Sequence, residues 1–380
     1  MNALSDSNPP ATDRGELHAQ AWVGIEGLRE QSDAWRELAS VADVDPLGND
    51  FDWVIAHVGA FGDSHNIIGW TLTDAAERPV AILPFRLEPR RTIFSLSRAL
   101  ITQDGTFDSE YLDVILRPGF ERASIKMMLD LLKSRRDIDC VVLTGIPSES
   151  ATLEHLRPEL ERRNLPRRER DFPACAAPLP ESFEDYLKAR KSRIRSKIRS
   201  SIRRSTEAGA ELVWSDDSSS LGTELETLFE LHQKRWVATG KSGSFADERR
   251  RVFYNSLAPD FLRKGQLSFA RLDLNGQTLA CQFGATVDST YYQIQEGFDP
   301  DQSDLRVGTA LRGMMIEELI KRGVRSYDFM AGIGRHKTDW GAVPRPCTTV
   351  AFALPRLRAR LAYRLREFLD RRNSEKPIVT

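Results

Sequence analysis

The stretch Leu305-Arg306-Val307-Gly308-Thr309-Ala310, with the run Leu311 to Arg322 and then Ser326-Tyr327-Asp328-Phe329-Met330-Ala331-Gly332, constrains the chain most. It reads as a strand, a turn of small residues, an amphipathic helix, and a strand that ends in an acid and a glycine loop. Such an order leaves free backbone N–H groups at a helix N-terminus, where an anionic group can sit. Gly308 has no Cβ, so the backbone there can come close to that group. The pattern predicts an α/β unit in which Arg306, Val307, Gly308, Thr309 and Ala310 hold the phosphates of a cofactor. A small-residue start to an ordinary α/β helix carries the same signature, so the rest of the chain has to decide.

With 380 residues, 41% hydrophobic and 29% charged, the chain suits two soluble domains better than one. No apolar run approaches the roughly 18 residues that span a bilayer. The first residues lack the basic and apolar segments of a signal peptide and read as a disordered leader. Cys140, Cys175, Cys281 and Cys347 are far apart, in apolar or strand-like contexts, with neither zinc nor disulfide spacing. No metal is expected, and the thiols suit a reduced, cytoplasmic protein. A net charge of −1 argues against a chain devoted to nucleic acid.

Periodicity then places the elements. Residues 20–40 read as helical, with Leu28, Trp35 and Leu38 on one face. Ile67–Thr73, Pro79–Leu87, Tyr111–Leu116 and Ile138–Leu143 read as strands, and Phe120–Leu132 and Thr152–Arg163 as helices. The charged, proline-bearing stretch Arg167–Pro180 reads as a crossing between halves. Helices follow at Phe183–Arg190, Ser192–Ala208, Leu225–Val237 and Asp247–Arg263. Leu267–Leu274 and Gln277–Val287 form a hairpin about Asn275-Gly276, the strongest short turn signal present. Strands at Tyr291–Gly297, Arg325–Met330 and Thr348–Leu354 complete an α/β or α+β pattern with mixed sheets flanked by helices.

Four further segments make the order specific: Leu231-His232-Gln233-Lys234-Arg235-Trp236, Thr239-Gly240-Lys241-Ser242-Gly243, Tyr291-Tyr292-Gln293-Ile294-Gln295-Glu296-Gly297-Phe298-Asp299-Pro300, and His336-Lys337-Thr338-Asp339-Trp340. Together they resemble the CelD/BcsL-type acetyltransferases of cellulose and exopolysaccharide biosynthesis, within the GNAT superfamily. The resemblance is best from Phe183 to Ala353. A fainter form runs through residues 20–180, at Ala81-Ile82-Leu83-Pro84-Phe85 and Tyr111-Leu112-Asp113. It implies a tandem of GNAT-like domains, similar to FemAB-type aminoacyl transferases. The expected division is a leader at 1–19, a GNAT-like domain at 20–180, a GNAT domain with the acyl-CoA site at 181–355, and a basic helix and tail at 356–380. The chain departs from the family at its phosphate loop. Leu305 stands where Gln or Arg usually begins it, and Arg306-Val307-Gly308 stands in place of Ser-Pro-Gly.

The resemblance implies direct acyl transfer from acetyl-CoA or another acyl-CoA. Such a reaction needs a bound donor, a deprotonated acceptor and stabilisation of the oxyanion. No Gly-x-Ser-x-Gly elbow suggests a covalent nucleophile. Asp328, at the end of the strand after the cofactor helix, is a candidate general base, or else a carboxylate capping the Gly332 loop or pairing Arg335. Glu296 is a second carboxylate near the cleft, or a salt-bridge partner. His232 lies four residues before Trp236 on one helix face, as base, acceptor ligand or structural residue. Lys337 could hold a phosphate or the oxyanion. Trp236 reads as pocket wall or core. Tyr292, like Tyr291 and Tyr327, could bind substrate or protonate the leaving thiolate, or merely pack.

The segment Lys188 to Arg204 sets Ile194, Ile198 and Ile202 along a stripe with a basic opposite face. This face is a solvated surface or, through residues such as Arg193, a site for an anionic acceptor, the CoA 3′-phosphate, a membrane or RNA. Arg356 to Arg364 has the same character, so peripheral membrane association through basic helices is open. The leading expectation is acyl transfer to an amine or hydroxyl of a sugar, polysaccharide or lipid precursor. A FemAB-like aminoacyl-tRNA donor comes second, and a non-catalytic binder of anionic glycan, lipid or nucleic acid third.

Overall fold

The computed structural model describes residues 16–62, 66–92, 95–104, 106 and 108–374. The first half opens with β1 (His18–Val23), α1 (Gly24–Arg29), α2 (Ser32–Ala39) and α3 (Phe51–Phe61). It continues through β2 (Ile67–Thr73), β3 (Pro79–Glu88), β4 (Arg98–Ile101), β5 (Ile115–Leu116), α4 (Glu121–Ser134), β6 (Cys140–Pro147), α5 (Ala151–Arg162) and β7 (Arg167–Pro178). The second half comprises α6 (Phe183–Lys188), α7 (Ser192–Glu207), β8 (Glu211–Trp214), α8 (Leu221–Val237), α9 (Glu248–Arg263), β9 (Leu267–Leu274), β10 (Gln277–Val287) and β11 (Thr290–Phe298). It ends with α10 (Val307–Lys321), β12 (Ser326–Ala331), α11 (Arg335–Thr338), β13 (Val343–Ala353) and α12 (Leu357–Ser374).

The strands form one mixed sheet in the order β1-β2-β3-β4-β6-β13-β7-β12-β11-β10-β9-β8, with β5 on β3. Each half repeats a motif: an antiparallel run, then a parallel pair, β4 with β6 and β11 with β12. The halves exchange their last strands. β13 pairs with β6, β7 pairs with β12, and β7 and β13 pair with each other from Val343 against Ala176 to Phe352 against Arg167. An apolar cluster seals the junction further, uniting Leu47, Trp53 and Tyr111 with Phe229, Phe253, Tyr254 and Phe261. Trp53 meets Phe253 edge-on, with centroids 5.2 Å apart, where α3 crosses α9.

Local chemistry explains the element ends. Asp50 caps α3 by accepting from the amides of Asp52 and Trp53, and Ser150 caps α5 through Thr152. The β9–β10 hairpin turns on Asn275 and Gly276 at φ 51° and 78°, the left-handed pair that a two-residue turn requires.

Several expectations change. The leader lies outside the described residues up to 15, and His18–Val23 is already an edge strand paired with β2. Only Ile115–Leu116 of the expected 111–116 strand pairs in the sheet. Arg167–Pro180 does cross between the halves, but as a strand: most of it is β7, whose exposed charges at 167–171 resemble a linker until β13 pairs with it. Helix α10 is not amphipathic. It buries Val307, Ala310, Leu311, Arg312, Met315, Ile316, Leu319 and Ile320, because α7 packs along it.

Candidate active site

Helix α10 lies between two parallel strands that pair only briefly. β11 and β12 match from Thr290–Tyr292 to Ser326–Asp328 and then part. Beyond that point β11 bulges, with Gln293 and Gln295 opposite Gly284 and Phe283, so that Ile294 has no partner across the ladder. β12 breaks its register with β7 between Asp328 and Ala331, and Met330 takes φ 60°. The divergence opens a cleft of about 220 Å³. Trp53, Asp108 and Glu110 line it from the first half. His232, Arg235, Trp236, Glu296, Arg312, Met330, Ala331, His336 and Lys337 line it from the second.

The parted backbone must find partners other than strands. Lys337 Nζ donates to Phe329 O at 2.7 Å and Ala331 O at 2.5 Å, with Met330 O at 3.5 Å. Burial lowers its pKa, and nearby Glu110 and Asp328 oppose that shift. Its three protons thus face three carbonyls, and the one held most weakly is the one toward Met330 O. The Ala331 amide donates to Glu110 Oε1 at 3.0 Å. The other Glu110 oxygen has no hydrogen-bond partner among the described residues. Burial pushes the Glu110 carboxyl up to about 8, against the Ala331 hydrogen bond and with help from Asp108 and Asp328.

Glu296 is fixed as a carboxylate. Burial alone would raise it, but Arg312 and Arg235 outweigh burial and hold it at about 2. Arg235 Nη1 reaches Oε1 at 2.8 Å, and Arg312 Nη2 holds Oε2. His232 Nε2 accepts from Trp236 Nε1 at 2.9 Å. An indole nitrogen can only donate, so the neutral ring carries its proton on Nδ1 and its basic lone pair is already used. Burial, then Arg235, lowers its pKa to about 4, so it stays neutral. Asp108 pairs with Arg250 at 2.9 Å and accepts from Tyr254 Oη at 2.9 Å.

The cleft therefore gathers His232, Trp236, Glu296 and Lys337 from the residues singled out in the sequence. Asp328 does not line it. It is 1% exposed, accepts from Tyr111 Oη at 2.8 Å and the Met330 amide at 2.7 Å, and pairs with Arg345 at 3.0 Å. Its pairing is with Arg345 rather than Arg335. Tyr292 Oη donates to Asp45 Oδ2 at 3.2 Å within the junction core, away from the cleft. Arg193 is exposed on α7. At the start of α10, Arg306 is left-handed at φ 53°, and Thr309 and Ala310 are the first amides bonded, both to Arg306 O. The amides of Val307 and Gly308 precede that first bond. A Cβ on Gly308 would lie 2.9 Å from Phe298 Cδ1, so packing against Phe298 alone already favours glycine there.

Sequence reasoning missed Glu110, Asp108 and Trp53. The one local signal was Tyr111-Leu112-Asp113, which directly follows Glu110.

Residues 192–338, covering α7 to α11, match the acetyltransferase (GNAT) domain family. FemX overlays on 88% of this chain and 98% of its own, at 11% identity and a TM-score of 0.63. A conserved protein of unknown function from Bacteroides thetaiotaomicron overlays at 13% identity and a TM-score of 0.56, over 86% and 97%. The C-terminal domain of a putative lysylphosphatidylglycerol synthetase from Agrobacterium fabrum does so at 12% and 0.53, over 88% and 94%. At these identities the likeness is one of fold. No curated protein matches the chain in sequence. Residues 192–338 thus match an acetyltransferase (GNAT) domain, within a fold that two halves build together.

Proposed function

We propose that the cleft between the halves transfers an acyl group from a thioester to an amine or hydroxyl, with Glu110 taking the acceptor's proton. The observation that carries this is the carboxyl of Glu110, anchored by Ala331 at one oxygen and lining the cleft. When ionised, it accepts the proton from the acceptor N–H or O–H as that atom attacks the thioester carbonyl. The new C–N or C–O bond forms, the C–S bond breaks, and the proton that Glu110 took passes to the departing thiolate, so that a thiol leaves and the carboxylate is restored. Lys337 turns the proton it holds weakly against Met330 O to the oxyanion, while Trp53 Nε1, buried without an acceptor among the described residues, suits a polar substrate atom. Glu296, locked by two arginines, and His232, locked by Trp236, hold the wall rather than move protons.

The GNAT match favours acyl-CoA, with acetyl the simplest group. The Val307 and Gly308 amides would face its pyrophosphate, and Arg306 to Ala310 would form the cradle. The sequence resemblance to CelD/BcsL enzymes makes a sugar, polysaccharide or lipid precursor the acceptor. Four buried free cysteines suit a cytoplasmic setting. A second reading keeps the cleft and takes an aminoacyl-tRNA donor, as the FemAB resemblance implies. It is favoured by the overlay with FemX along nearly the whole of both chains and by the exposed basic face of α7.

The test is thiol release from acetyl-CoA with a panel of amino sugars, set beside acyl transfer from charged tRNA. Release of CoA thiol that depends on acceptor and falls at least a hundredfold in Glu110→Gln supports the reading. Transfer from charged tRNA alone supports the second. Neither activity, with no binding of acetyl-CoA, would overturn both.

A further inference from the structure

Beyond the cleft, the last helix presents a surface that nothing in the reaction uses. α12 lies on the sheet through Ala359, which is fully buried, and through half-buried Ala362 and Tyr363. Its opposite side carries Leu357, Leu361 and Leu365 at 77%, 57% and 61% exposure, among the most exposed large apolar residues of the described chain. At 3.6 residues per turn the three leucines fall within an arc of about 80°. Arg358 borders that arc on one side, and Arg360 and Arg364 border it on the other, all three exposed. From Leu357 to Leu365 there is no acid. The groove that Tyr363 and Leu365 also line carries four arginines, Arg91, Arg98, Arg168 and Arg170, against two acids, Glu88 and Glu169, with Glu88 paired to Arg98. Arg356 secures the start of the helix by donating to Lys133 O and Arg135 O, both at 2.7 Å.

From this arrangement we propose that α12 is an interfacial helix that seats the protein on an anionic lipid surface. Exposed leucines bordered on both sides by arginines suit the boundary between acyl chains and headgroups. The leucines would enter the apolar layer while the guanidinium groups stay level with the phosphates. Two other occupants fit less well. A second copy seated on the same stripe would bring arginine borders together with no acid between Leu357 and Leu365 to offset them. A nucleic acid would use the arginines but leave three leucines in water. Among the described residues no helix is long and apolar enough to cross a membrane, so the contact is peripheral.

Flotation of the full chain with vesicles tests this. The probes are phosphatidylcholine alone and phosphatidylcholine with 30 mol% phosphatidylglycerol. The protein should float with the anionic vesicles and remain below with the neutral ones. Leu357→Ser, Leu361→Ser and Leu365→Ser together should weaken partitioning on the order of tenfold per leucine. Arg358→Gln, Arg360→Gln and Arg364→Gln together should weaken it on the order of a hundredfold, at about fivefold per arginine. These side chains are exposed, so both triple variants should melt with the unmodified protein. The proposal falls if the unmodified protein does not float with anionic vesicles, or if the leucine variant floats undiminished. It also falls if the leucine variant instead dissolves a concentration-dependent dimer in sedimentation.

Discussion

The Ala331 amide donates to Glu110 Oε1 at 3.0 Å, so an acid from one half is oriented by the backbone of the other. Ala331 is free to do this because β11 and β12 part beyond Asp328. Opening the cleft and positioning its carboxyl are thus one structural event.

That event has a stability signature. Glu110 stands at about 8 in the folded chain against an ordinary 4.5, because burial favours the protonated form. A group raised on folding gives stability that is fully present below the unfolded value and lost as pH rises through the folded one. Stability should therefore fall between about pH 4.5 and 8. Glu110→Gln keeps an acceptor for Ala331 and removes the proton. Its melting temperature relative to the unmodified protein should climb across that window, by the equivalent of a few kcal/mol at most. Parallel melting curves at pH 5 and pH 8 check this.

Lys337→Met should destabilise by about 2–3 kcal/mol, since carbonyls of Phe329 and Ala331 would lose a charged donor in a partly buried place. Denaturant unfolding measures it. If a ligand oxygen uses the third proton, turnover of the folded fraction should fall as well.

Arg345→Met should cost about 3–5 kcal/mol, because it removes the cation paired with Asp45 and Asp328, both buried carboxylates. Adding Asp328→Asn should recover part of that loss. A double-mutant cycle by chemical denaturation gives the coupling.

Gly308→Ala should destabilise by about 1–3 kcal/mol through contact with Phe298, whether or not a cofactor binds. Phe298→Leu in the same chain should relieve it. Calorimetric titration of the folded double variant with acetyl-CoA then separates packing from phosphate binding.

Much of the frame was legible because its cues are local. Asn275-Gly276 turned as its dipeptide requires, and the ordered motifs around His232, Glu296 and Lys337 do meet in one cleft. What escaped was set at long range. Arg167–Asp171 looks like a linker until β13 arrives from the far end of the chain. Asp328, expected to end its strand, lies inside β12 at the last residue paired with β11, and Tyr111 and Arg345 turn it into the junction core. Glu110 lies 221 residues from its anchor, with no periodicity to mark it.

The pH dependence of kcat/KM for acyl transfer, measured for the unmodified enzyme and for Glu110→Gln, tests the central claim most directly. The base must be ionised to work, so the unmodified enzyme should rise with pH to a plateau, with its midpoint near the value of about 8 set by burial. In Glu110→Gln the rate should fall on the order of 10²–10⁴ and lose that midpoint. An unchanged profile and rate in a folded Glu110→Gln enzyme would contradict the account.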